Sequence, residues 1–137
     1  LTACENLTVS VILDGDRAQE SDILAALDRM GLAGFEDLPT KMLSQGQKKR
    51  VALARLLLSK APLWILDEPF TALDLEAIDR LQKLIAGHVA AEGLTILTTH
   101  QEVPLTSGQI RRLHLGPPQD TDPSSPGVTT GDLEEHA

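Results

Sequence analysis

Two spacings of apolar residues divide the chain. Over roughly the first sixty positions they recur at helical intervals. Beyond that, short continuous apolar runs flank one long helical stripe. Thr2-x-x-Glu5 has the form of a capping box and predicts a helix from residue 3 to about Leu13, closed by the turn Asp14-Gly15-Asp16. Ser21 is placed to cap a second helix running through Met30. Ile23, Leu24, Leu27 and Met30 form its stripe and Gly31 its stop. Residues 32–43, with Gly34 and Pro39, read as loop. A third helix is expected from about Gln45 to Ser59, with Pro62 just beyond it.

The second half changes period. Leu63 to Leu66 is a continuous apolar run, as in a strand covered on both faces of a parallel sheet. Leu75, Ile78, Leu81, Leu84, Ile85 and Val89 share one helical face over 75–91, with Asp74 as N-cap and Gly93 as terminator. "LTILTT" predicts a second strand, and the alternating "IRRLHL" at 110–115 a third. Strand, helix and strand across 63–99 make a βαβ unit. The Pro- and Ser-rich stretch from Gly116 onward predicts disorder. The organisation read from these patterns is a helical part over 1–60, an α/β part over 61–116 and a disordered acidic tail over 117–137, without internal repeats.

Composition narrows the possibilities. Apolar residues make up 42% of the 137, but Phe35, Trp64 and Phe70 are the only aromatics, so the core is aliphatic. The net charge of -8 comes largely from the tail, which takes five of the 20 acids and none of the 12 bases. That leaves 15 acids against 12 bases over 1–116, a balance that argues against a nucleic-acid binder held by bulk charge. One cysteine, Cys4, excludes an internal disulfide and a Cys-built metal site. No run approaches the roughly 20 apolar residues of a membrane span. Leu1 begins mid-pattern, without Met or a basic leader, so further residues are expected upstream.

The candidate chemistry lies at the ends of the predicted strands. Asp67 and Glu68 follow the apolar run directly, at the carboxyl end where α/β folds place their ligands. An apolar run ending in Asp is the Walker B pattern, in which the Asp holds Mg²⁺. The next carboxylate can take a proton from, or orient, an attacking water. The plainer reading is a strand end finished by solvated acids. Ser44 stands where an N-cap belongs, and Gly46 lets a backbone approach closely. Free N–H groups and the helix dipole at that point favour an anion, and Lys48, Lys49 and Arg50 add positive charge, with at least two of them expected to face solvent. An ordinary capped helix would look the same. His100 ends the second strand and would sit beside the two acids, or serve only structure. His88, His114 and His136 have no such setting. Asp74 is both a cap and part of the loop "TALD".

Taken together these segments resemble the ATP-binding subunits of ABC transporters. "LSQGQ" is similar to the family signature, with Gln45 in place of the first glycine. "LWILDEP" is similar to Walker B plus a catalytic glutamate, "TALD" to the D-loop, and "TTH" to the switch histidine, all in family order across 43–100. "LTACENL", the Lys-Lys-Arg after the signature and Trp64 before the aliphatics resemble, more narrowly, the haem-exporter ATPases of cytochrome c maturation, over residues 1–116. The resemblance implies a partial ABC nucleotide-binding domain of the P-loop NTPase-like α/β class, with a parallel-sheet βαβ core plus a helical subdomain.

The resemblance also implies an ATPase with ATP and Mg²⁺ as its ligands. Ser44, Gln45, Gly46 and Gln47 would meet an ATP held mainly by a second copy of the subunit. Asp67 would position Mg²⁺, Glu68 would polarise water, His100 would sense the γ-phosphate and Asp74 would bridge the two copies. Integral membrane subunits of the haem-export type would be the other partners, at the cytoplasmic face of a bacterial inner membrane, with no nucleic acid involved. The chain has no G-x-x-x-x-G-K-[ST] and no glutamine-bearing loop ahead of "LTACENL". By itself it is therefore expected to bind ATP poorly and to hydrolyse it negligibly. Two other readings stay open: an ABC ATPase for another cargo, and a non-catalytic remnant acting as an interaction module.

Overall fold

The computed structural model describes residues 1–100, 102, 105, 108, 110–113, 115 and 116. Its first helix, α1 (Ala3–Leu13), starts as the capping box dictates: Thr2 Oγ1 accepts from Glu5 N at 3.1 Å, and Glu5 Oε2 accepts from Thr2 N at 2.8 Å. Ala3, Leu7 and Val11 form its buried side. The loop over 32–43 returns to this helix start. Ala3 and Cys4 donate to the carbonyls of Leu38 and Glu36, Thr40 donates to Leu1, and a short 3-10 turn spans Thr40–Met42.

The second helix, α2 (Glu20–Arg29), begins earlier than the Ser21 cap expected from sequence. Gln19 is its N-cap and contributes no side-chain bond, while Ser21 lies inside the first turn. Glu20 and Asp22 supply the negative charge that favours a helix start there. Its end is as expected: Met30 is the C-cap and Gly31 follows at φ 73°. Arg80, from the far half of the chain, donates to the Arg29 carbonyl at 2.8 Å, placing a cation on the C-terminal end of the helix.

The third helix, α3 (Gln45–Leu58), packs against α1 and α2. Strand β1 (Leu63–Asp67) and strand β2 (Leu94–Thr98) lie parallel with Leu63 opposite Leu94 and Asp67 opposite Thr98, and α4 (Leu75–Ala90) crosses between them. One continuous core joins both halves. It runs from Leu7, Ile23, Leu27, Met30 and Leu32 to Trp64, Leu66, Leu81, Leu84 and Ile85. Burial raises the Cys4 thiol above its usual range, and the nearby acids Glu20, Asp37 and Glu5 add to this. Cys4 is therefore a protonated packing residue rather than a nucleophile.

Two expectations are corrected here. The β1 run is covered on one face only. Trp64 and Leu66 are buried, while Ile65 is 73% exposed and Leu63, Leu94 and Ile96 stand out on the same open face. An apolar run states that both faces are suited to cover, not that both are covered within the same stretch of chain. The third strand is not formed among the described residues: 110–113 and 115 carry no strand, and Leu113 and Leu115 are almost fully exposed. Alternation favours a strand where one of its faces is covered, and here Leu113 and Leu115 are left uncovered. His114 and the whole tail over 117–137 lie outside the described residues.

Finally, Gly93 does more than end α4. The His88 ring stacks on Trp64 at 3.6 Å and its Nε2 donates to the Pro62 carbonyl at 3.0 Å, so a Cβ on Gly93 would fall 2.4 Å from the imidazole. His88 thus has a structural setting that sequence reading did not assign to it. No helix among the described residues is long and apolar enough to cross a membrane.

Candidate nucleotide site

The register of the two strands decides the geometry at their carboxyl ends. Because Asp67 is opposite Thr98, Thr98 Oγ1 reaches Asp67 Oδ1 at 2.5 Å. The Glu68 N–H donates to both the Thr98 carbonyl and Thr98 Oγ1, each at 3.1 Å. Glu68 itself turns into the left-handed region at φ 45°, a conformation that costs a residue with a Cβ about 1–2 kcal/mol. The turn directs its side chain toward the second strand, where Glu68 Oε1 lies 3.1 Å from His100 Nε2. His100 is 94% exposed and Glu68 30%. The two residues expected to share a site by strand adjacency therefore do meet, and Asp67 lies one residue before Glu68 on the same strand end.

The helix-start residues occupy the other side of the turn after β1. Ser44 caps α3 with a second capping box: its Oγ accepts from Gln47 N at 3.1 Å, and Gln47 Oε1 accepts from Ser44 N at 2.9 Å. This leaves the N–H groups of Gln45 and Gly46 without a partner inside the helix. Ser44 and Gln45 are exposed. A Cβ on Gly46 would come within 3.0 Å of the Ala72 carbonyl, so part of the reason for glycine lies inside the chain.

The cations depart from expectation. Lys49 donates to the Glu68 carbonyl at 2.6 Å, and Arg50 pairs with Asp74 at 2.9 Å, its side chain only 17% exposed. Two of the three positive charges thus turn inward, because each finds an acceptor on the turn that follows β1. Asp74 serves two elements at once, capping α4 through Ala77 N at 2.8 Å and holding Arg50 with its other oxygen. Sequence reasoning missed Thr98, and it named Lys49 and Arg50 as charges beside the helix start without the inward contacts that they make. The signal for Thr98 was present, since a Thr two positions before His100 on a paired strand falls level with Asp67.

Chemically, this is an open ledge rather than a cavity. Two clefts of about 660 Å³ lie elsewhere, one among α1, α2 and the end of α3, the other between α3 and β1. Neither is lined by Asp67, Glu68 or His100. No group of three metal-ligating side chains exists among the described residues. A lone, exposed carboxylate with one oxygen held by a threonine suits Mg²⁺. That ion keeps several waters and takes one or two carboxylates together with substrate phosphates. The exposed N–H groups at the start of α3 suit an anion.

The relatives of this chain bear on these features. The curated export proteins named cytochrome c biogenesis ATP-binding export protein CcmA are 53% identical over 116 residues in Dechloromonas aromatica and 54% identical over 115 residues in Escherichia coli K12. These matches cover 85% and 84% of this chain but 57% and 54% of the relatives, so the chain spans about half the length of the curated relatives it matches. A dimeric ATP-binding cassette in a post-hydrolysis state with ADP and phosphate superposes with a TM-score of 0.66 at 28% identity, over 74% of this chain and 47% of that one. An ABC transporter ATP-binding protein from Pyrococcus furiosus does so at 0.67 and 26%, over 76% of this chain and 52% of its own. The sequence profile of the family described as ABC transporter matches residues 1–71, more than half the chain, and by that match the chain belongs to the ABC transporter family.

Proposed function

We propose that this chain is the signature-and-Walker-B portion of an ATPase subunit that drives an export step in c-type cytochrome biogenesis, coupled to haem export or release. The contact between Glu68 and His100 beside Asp67, at the carboxyl ends of two parallel strands, carries the reading. Glu68 accepts the proton of the water that attacks the γ-phosphate, and His100 holds the carboxylate in line and donates to a phosphate oxygen. Asp67 would hold Mg²⁺, and the ion when bound would neutralise phosphate charge. Gln45 and Gly46 present the free N–H groups of α3 to the nucleotide of a second copy, with the capping pair Ser44 and Gln47 on either side of them, and Asp74 stands at the seam between the copies. The names of the curated relatives favour an export step in cytochrome c biogenesis; nothing in the motor residues reads the cargo. The subunit works at the cytoplasmic face of the inner membrane, docked on integral membrane subunits.

The phosphate cradle comes from the remainder of the cassette, which covers the open face formed by Leu63, Ile65, Leu94 and Ile96. The direct test compares the complete cassette with this chain alone. The complete cassette should hydrolyse ATP in a Mg²⁺-dependent manner, and the chain alone should bind ATP weakly and release no measurable phosphate. Micromolar ATP affinity in the isolated chain would contradict the division of labour, and an inactive cassette would favour the interaction-module reading.

Ser44→Arg puts a bulky cation at the face offered to the second copy and also removes the helix cap. It should abolish ATP-driven dimerisation, measured by size-exclusion chromatography with light scattering. It should also cost the monomer about 1 kcal/mol of stability. Ser44→Asn, which keeps the cap, separates the two effects. Full dimerisation of Ser44→Arg would remove this helix start from the interface.

A further inference from the structure

The start of α3 grips the turn after β1 at three points, and the middle one reaches Glu68. Gly46 lies against the Ala72 carbonyl, Lys49 Nζ donates to the Glu68 carbonyl at 2.6 Å, and Arg50 pairs with Asp74 at 2.9 Å. The Glu68 carbonyl otherwise accepts from Thr71 N at a longer 3.3 Å, while its N–H is held from the opposite side by Thr98. A backbone with a Cβ at φ 45° persists only where its surroundings over-determine it. An ammonium group is a strong donor for that purpose, since a charged donor makes a shorter and stronger bond than a neutral one. The direction of the Glu68 carboxylate follows from this clamped backbone.

We propose that Lys49 is a positioning residue for the hydrolytic step. By holding the Glu68 carbonyl it fixes the left-handed turn that brings the carboxylate to His100. It also makes that placement depend on how the start of α3 is seated. The inference rests on the reading of Glu68 as the proton acceptor. Lys49 touches no reacting atom, so its effect passes entirely through Glu68. The same helix presents Ser44 and Gln45 outward, so one rigid element joins the surface offered to a second copy with the residue that works on the chain's own side.

Steady-state ATPase kinetics on the complete cassette test this. Lys49→Met keeps the length of the side chain and removes its charge. It should lower kcat roughly tenfold or more, with KM for ATP changed by less than about twofold, because misplacing a reacting group by a fraction of an ångström to an ångström costs rate on that scale. Lys49→Arg, which retains a charged donor, should recover most of the rate. In a Glu68→Gln background, Lys49→Met should add no further loss, since the two substitutions disable one function.

A structural role alone would not give this non-additivity, and equal urea midpoints for Lys49→Met and the unsubstituted protein exclude misfolding as the cause. Unchanged kcat in Lys49→Met, or losses that multiply in the double variant, would overturn the proposal. If Glu68→Gln is slow and Lys49→Met is fast, the positioning role alone falls. Full turnover by Glu68→Gln would remove both the base and its positioner.

Discussion

Glu68→Gln should lower ATP turnover of the complete cassette by roughly 10²–10⁴, the scale for losing a positioned general base, and leave ATP binding intact. The substitution keeps the shape of the side chain, and glutamine tolerates the left-handed backbone no worse than glutamate. The amide oxygen can still accept from His100 Nε2, which lies 3.1 Å away in the parent. What is lost is the ability to take a proton and the negative charge facing the water. In barrier terms the loss corresponds to roughly 3–5 kcal/mol. Phosphate release measures the first part and nucleotide affinity the second. Turnover within about twofold of the parent, far short of the usual 10²–10⁴-fold loss, would exclude Glu68 as the base.

Leu81→Ala should destabilise the chain by about 2–5 kcal/mol, a large share of the roughly 5–15 kcal/mol that holds a typical domain together. Leu81 is fully buried on the stripe Ala77, Leu81, Leu84 and Ile85, which shares a core with Trp64 and Leu66. Helix α4 is the crossover between the two strands, so a cavity beneath it loosens the element that sets the Asp67–Thr98 register. Trp64 is the chain's only tryptophan and is stacked on His88, which makes its fluorescence a direct reporter of urea unfolding. Ile65→Ala, on the opposite face and 73% exposed, should change stability by less than about 0.5 kcal/mol. Similar losses from the two substitutions would mean that the sheet is covered on both sides.

Local chemistry was the legible part of this sequence. Thr2 with Glu5, Asp74 as a cap, Gly31 as a stop and the apolar run after Pro62 each name their element, because caps and periods act within a few residues. The strand-end acids and His100 could be placed together from topology alone, since parallel neighbours end side by side. What could not be read depends on contacts distant in sequence. Lys49 turns inward because the Glu68 carbonyl, nineteen residues on, is within its reach. Ser21 yields the cap position to Gln19, and Gly93 answers to an imidazole that stacks on Trp64. The 110–115 alternation forms no strand among the described residues and leaves Leu113 and Leu115 uncovered, so the pattern alone did not decide its conformation.

The half-bare sheet has a practical consequence for how the polypeptide behaves in a cell. Leucine and isoleucine at four neighbouring positions, on strands whose outer edges are unpaired among the described residues, form the kind of surface from which self-association and chaperone binding are expected. If the remainder of the cassette covers this face, as proposed, co-expressing the two parts should raise the yield of this polypeptide over expressing it alone.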